Sequence, residues 1–193
     1  MKFEFYRHVS QDEPRLLAAL SLYAASFPEH EQRLFCDLAA ALSDPAFFLE
    51  SIWQGETLLG LLFYWKYGAG NCYVEHFAVN PALRGRSIGS GILSSFCAQH
   101  PLSVLEIDPL ADEVSVRRKG FYERLGFCLN PYEHQHPPYR VGNAPHPLLV
   151  MSWPRVLKQT EYSEFTEFLS HRVMRYSLGT QEKQQKNKNK RRF

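Results

Sequence analysis

Apolar residues recur along this chain with two periods, and the switches between them divide it into elements. Phe3 and Phe5, with His8, alternate with polar neighbours as a first strand does. From Glu13 the spacing becomes helical, with Leu16, Leu17, Leu20 and Tyr23 on one face, until Phe27-Pro28 stops it. A second helix is expected over 31–42, carrying Leu34, Phe35, Leu38, Ala39 and Leu42 and ended by Asp44-Pro45. Phe47 to Trp53 and Thr57 to Tyr67 read as a hairpin turned at Gln54-Gly55-Glu56. Gly68 to Asn71 makes the next turn, and a third consecutive antiparallel strand runs from Tyr73 to Val79.

Asn80-Pro81 ends that strand, after which Ile88, Ile92, Leu93 and Phe96 repeat at helical spacing. A short strand over Val104 to Ile107 must then run parallel, because a helix supplies the crossover. Next come a helix over Val114 to Leu125 and strands over Phe127 to Tyr132 and Leu148 to Trp153. Between those strands, 133–146 holds three prolines and three histidines and reads as a long loop. Ser163 is placed as the cap of a last helix whose stripe is Phe165, Phe168, Leu169, Val173 and Tyr176. That stripe is expected to pack on the domain or on a second copy of the chain.

Between the third strand and its helix, Arg86, Gly89 and Gly91 fit the pattern Arg/Gln-x-x-Gly-x-Gly/Ala. Glycines let backbone approach a ligand, and the first N–H groups of a helix lack internal partners, so the segment suits a pyrophosphate. An ordinary glycine-containing helix start beside two solvated arginines is the alternative. Tyr73 to Leu93 resembles motif A of the GNAT superfamily of N-acetyltransferases, and Gly120-Phe121-Tyr122-Glu123-Arg124-Leu125-Gly126-Phe127 resembles its motif B. The two stand in the family's order, with a strand between them, and the resemblance covers about residues 3–153.

That resemblance implies the α/β (α+β) acyl-CoA N-acyltransferase fold, a mixed sheet with two splayed central strands and helices on both faces. It also implies acetyl-CoA as cosubstrate and a small-molecule or peptide amine as acceptor. A single domain over 1–178 is expected, with an extra helix near 163–177 and a basic tail over 179–193.

Composition adds limits. The 193 residues, 45% hydrophobic and 22% charged, suit one globular domain. No apolar run approaches the ~18 residues of a membrane span, and the N-terminus has no signal-like pattern, so a cytoplasmic protein is expected. The four distant cysteines read as buried thiols, and His134-x-His136 as structural or solvent histidines, so no metal is assigned. Net charge is +2, but six basic residues against Glu182 give the last dozen +5 and leave −3 elsewhere. The domain itself is thus not favoured as a nucleic-acid binder, although the tail could touch RNA or anionic lipid.

Acetyl transfer from a thioester to an ammonium asks for a base, an oxyanion donor and an acid for the departing sulfur. Alternation puts Tyr73, Glu75 and Phe77 on one strand face and Val74, His76 and Ala78 on the other, until a bulge shifts the phase. A carboxylate in mid-strand costs several kcal/mol unless solvated or paired. Glu75 is therefore either a base in a cleft or the partner of an arginine or His76 in a buried network.

By resemblance, Glu75 helps to deprotonate the acceptor and Tyr122 is the acid. A bulge before the loop would free backbone at Phe77, Ala78 and Val79 for the pantetheine arm, and Arg84, Gly85, Arg86, Ser87, Ile88, Gly89, Ser90 and Gly91 would cradle the pyrophosphate. Phe27, Glu29, Arg33, Tyr73, Tyr139 and Arg140 are the implied acceptor contacts. Asp108 departs from the family's amide at that place. A coenzyme-binding sensor or interaction module on the same fold is the alternative function.

Overall fold

The computed structural model describes residues 3–177. The basic tail over 179–193 lies outside the described residues. Eight strands form the sheets: β1 Glu4–His8, β2 Phe47–Gln54, β3 Thr57–Tyr67, β4 Asn71–Val79, β5 Ser103–Ile107, β6 Cys128–Leu129, β7 His134–His136 and β8 His146–Trp153. Five helices accompany them: α1 Leu16–Ser26, α2 Phe35–Leu42, α3 Ile88–Cys97, α4 Glu113–Arg124 and α5 Gln159–His171. The main path runs β1-β2-β3-β4-β5-β8-β6, with β7 paired to β8 off that path. Only β4 and β5 pair in parallel, as the crossover through α3 requires.

Two apolar layers cover the sheet. On one side Leu16, Ala19 and Tyr23 of α1, Leu38 of α2, and Phe165 and Leu169 of α5 close on Phe63, Trp65, Tyr73 and Val104. On the other, Ile88, Ile92, Leu93 and Phe96 of α3 and Tyr122 of α4 pack on Leu62, Val74, Leu105 and Met151. Burial on both faces explains why β3 reads as a near-continuous apolar run rather than an alternation.

Several expectations change, and the strand expected over Phe127 to Tyr132 shortens to Cys128–Leu129. The buried face of α1 uses Ala19 and Leu22, whereas Leu17 is 75% exposed, a rotation of the stripe by about a fifth of a turn. A 3-10 turn at Glu29–Glu31 precedes α2, so the helix starts four residues later than predicted. Lys158, not Ser163, precedes α5, and the backbone N–H of Lys158 is held by the Glu161 carboxylate at 2.8 Å. Finally, 133–146 is not a plain loop: β7 pairs with β8 in the register His134↔Leu148, Gln135↔Pro147 and His136↔His146. Period-2 alternation through His134-Gln135-His136 was there to read, but the surrounding prolines masked it.

Candidate active site

The cleft begins where β4 and β5 part. Their parallel ladder holds Cys72↔Ser103, Tyr73↔Val104 and Val74↔Leu105 and ends there, while Glu106 and Ile107 continue in pairing with β8. On its other edge β4 pairs His76 with Phe63 and Val74 with Tyr64, leaving Glu75 as the extra residue of a bulge. Alternation therefore holds to Glu75, whose side chain shares the Tyr73 face, and inverts after it. His76 packs against Tyr23, Phe27 and Phe63 on the α1 side, correcting its expected place on the face opposite Tyr73. Phe77 and Val79 turn to the α3 side.

A cavity of about 1200 Å³ fills the parting. One group of lining residues gathers around the start of α3. Gly85 has φ +78° and Ser87 φ +57°, a left-handed turn that in a serine costs on the order of 1–2 kcal/mol. The first helical bond runs from the Gly91 N–H to the Ser87 carbonyl, so the N–H groups of Ile88, Gly89 and Ser90 precede it. A Cβ on Gly89 would lie 3.1 Å from Val79 Cγ2 and 3.6 Å from the Phe77 ring. These donors, with Arg84, fit a pyrophosphate, and Phe77, Ala78, Val79 and Tyr122 also line the cavity.

Arg86 and Gly91 do not line it. A Cβ on Gly91 would meet the Phe3 ring at 2.6 Å, so this glycine makes room for the N-terminal segment rather than for a ligand.

The second group lies toward α1 and β7: Phe27, Glu31, Tyr73, His76, Glu106, Asp108, His136 and Tyr139. Glu75 borders the cavity, yet its side chain is wholly buried, so its exposure comes from the main chain. Glu75 Oε1 accepts from Arg33 Nε at 2.8 Å and from the Tyr139 hydroxyl at 2.8 Å, and Oε2 from Trp65 Nε1 at 2.6 Å. Burial raises the Glu75 pKa, but Arg33, His76 and these donors more than offset it and hold the carboxyl below its ordinary value. The Glu75 carboxylate is thereby part of a buried network with an arginine.

Arg33 shares that burial, also donates to the Tyr176 and Val173 carbonyls, and does not line the cavity. Arg140 pairs with Glu29, and neither lines the cavity. Burial drives the Tyr122 hydroxyl up to about 12. Asp108 pairs with Arg118. Glu31, Asp108 and His146 bring one potential ligand atom each within 4.8 Å of one another, the grouping with metal-ligand spacing among the described residues. All three line the cavity, where the same carboxylates would attract a cationic amine.

Two residues stand out that the sequence did not place in the site: Glu106, which it passed over, and His136, which it read as structural or solvent-facing. Glu106 is a buried carboxylate that receives Tyr73 and His134, and His136 faces it across 3.9 Å. A charged residue inside the apolar strand Val104–Ile107 was the available signal, of the kind that drew attention to Glu75.

The sequence profile of the acetyltransferase (GNAT) family matches residues 8–127. The chain belongs to the GNAT acetyltransferase family. A Bacteroides thetaiotaomicron protein assigned to this family superposes with a TM-score of 0.82 at 28% identity, over 89% of this chain and 98% of its own. The ribosomal-protein-S18-alanine N-acetyltransferase of Escherichia coli shares the fold at TM-score 0.55 and 14% identity, over 81% of this chain and 96% of its own. Arabidopsis thaliana Naa50, in complex with the bisubstrate analogue CoA-Ac-MVNAL, does so at TM-score 0.54 and 18% identity, over 79% and 98%. No curated protein matches the sequence. Acetyl transfer is thus the general activity of this GNAT chain, and the mixed sheet with helices on both faces is the fold its motifs implied.

Proposed function

We propose that this GNAT domain transfers the acetyl group of acetyl-CoA to a primary amine of a small molecule or peptide, by direct attack within a ternary complex. The observation that carries the reading is one cavity shared by an anion-binding helix start and an acidic acceptor side. When bound, acetyl-CoA supplies the activated acyl carbon. Arg84, Gly85, Ser87, Ile88, Gly89 and Ser90 hold its pyrophosphate, and Phe77, Ala78 and Val79, on the stretch of β4 without a β5 partner, run beside its arm.

Tyr122 stays protonated at neutral pH and is the acid for the departing sulfur. Phe27, Tyr73 and Tyr139 shape the acceptor side, while Glu31 and Asp108 favour a cation. Glu75 holds the bulge, and with it the cavity wall, in place. All four cysteines are free, which supports a reducing compartment such as the cytoplasm.

Calorimetric titration with acetyl-CoA, followed by a thiol-release screen over amine classes, tests the reading. Micromolar binding with thiol release for one amine class is expected. Binding without release for any class would favour the sensor, and no binding would sink both.

A further inference from the structure

Resting on that acetyl-transfer reading, the geometry points to His136 as the base that takes the acceptor's proton, with Glu106 as its electrostatic partner. The β7–β8 pairing sets His134 and His136 on the same face of their strand, and both are buried. His136 Nδ1 lies 2.6 Å from the Pro137 carbonyl oxygen, which can only accept, so the ring hydrogen sits on Nδ1 and the lone pair on Nε2. Nε2 is buried without a hydrogen-bond partner. Its nearest charged neighbour is Glu106 Oε2 at 3.9 Å, and both residues line the cavity.

A lone pair facing a carboxylate at that distance is a place prepared for a positive charge. The Tyr73 hydroxyl and His134 Nε2 orient Glu106, and burial raises its pKa less than His136, His134 and Tyr73 lower it. The rival bases are weaker. Glu75 has its oxygens occupied, and burial lowers His76 to about 4.

In the step itself, the acceptor nitrogen loses two protons. His136 Nε2 takes the first and later gives it to solvent, and the freed lone pair closes the bond to the acetyl carbon. The carbon–sulfur bond breaks, the sulfur receives the Tyr122 proton, and the second nitrogen proton replaces it on Tyr122. One proton is released in all.

The groups that face His136 are Glu106 from β5, His76 from β4, Tyr139 at 4.8 Å between ring centres, His146 in register on β8, and His134 on its own strand; the Glu75–Arg33 pair lies beyond His76. The test is the pH profile of kcat/KM for the amine found by the thiol-release screen, in the wild-type protein, His136→Gln, His136→Ala and Glu106→Gln. We expect a single acidic limb in the wild type. His136→Gln should lose roughly 100-fold in rate together with that limb and keep acetyl-CoA affinity within about twofold. Added imidazole should partly restore His136→Ala, which repair of packing alone would not do. Glu106→Gln should keep the limb but move it to lower pH.

A wild-type profile without ionisation between about pH 5 and 8 overturns the assignment whatever the variants do. So does an unchanged rate in folded His136→Gln. Failure of the wild type to bind acetyl-CoA is a different result, and it overturns the acetyl-transfer reading itself.

Discussion

Arg33 Nη2 and Glu75 Oε1 lie 2.7 Å apart, with side chains 1% and 0% exposed. The pair ties the β4 bulge to the chain after α5 through the Tyr176 and Val173 carbonyls. Removing one member leaves the other charged and dry. Glu75→Gln should therefore cost about 3–5 kcal/mol in urea unfolding, whereas the double variant Arg33→Met/Glu75→Leu should cost less than Glu75→Gln alone. A loss below about 1 kcal/mol in Glu75→Gln would mean that the carboxylate is solvated, as a cleft base would be.

Acid should unfold the protein in two stages. His76, lowered to about 4 by burial against an ordinary value of 6.5, binds more proton unfolded than folded between those values, so stability falls as pH drops from 6.5 towards 4. Its part is roughly 3 kcal/mol at most. Glu75 and Glu106 are also held below their ordinary value of 4.5, despite burial, by their charged and hydrogen-bonding partners. Their contribution is present above pH 4.5 and is lost as pH falls through the lower folded values. Urea midpoints measured from pH 8 to 3 check both stages, and His76→Phe should remove the first. A profile flat down to pH 4 would contradict the burial of His76.

How far this could be read from residues follows from which signals are local. Strand and helix periods near the phosphate turn are local, and β2 to β5, α3 and α4 emerge close to where periodicity puts them. The bulge is not: nothing in Tyr73 to Val79 states that Glu75 is the unpaired residue, because Phe63 and Tyr64 across the ladder decide it. The partners of Glu75 have the same character, since Arg33, Trp65 and Tyr139 come from three separate segments. Glycines were ambiguous for a related reason. Gly89 and Gly91 look alike in sequence, yet one borders Val79 and Phe77 and the other makes space for Phe3.

That contrast separates affinity from stability. Gly89→Ala puts a Cβ 3.1 Å from Val79 in the cavity wall, and acetyl-CoA affinity should fall about tenfold, which is about 1.4 kcal/mol. Gly91→Ala instead displaces the Phe3 ring, and should lower the melting temperature by a few degrees, for about 1 kcal/mol, with affinity unchanged. Calorimetry and thermal melts on both variants suffice. Equal affinity losses would put Gly91 back in the cradle.

Tyr122→Phe removes a hydroxyl that has no hydrogen-bond partner among the described residues, while the ring keeps its packing against Phe121 and Phe127. Stability should change by less than about 0.5 kcal/mol. Rate should fall by about 100-fold or more, with KM little changed, if the phenol protonates the departing sulfur. A rate within twofold of wild type would leave Tyr122 a packing residue.

Phe165 links the helix that follows the family match to the acceptor side of the cavity. Fully buried, it lies 5.2 Å from the Tyr73 ring and 5.8 Å from His134, the two residues that orient Glu106. Phe165→Ala should cost about 3–5 kcal/mol, because a cavity opens where α5 meets β4 and β5. If that contact also steadies Tyr73 and His134, kcat should fall at temperatures where the variant is still folded, while acetyl-CoA affinity holds. Leu17→Ala, at a position 75% exposed, is the control and should change neither. A Phe165→Ala protein as stable as wild type would show that α5 is dispensable to the core, and Tyr73 of β4 and His134 of β7 would then hold Glu106 without it.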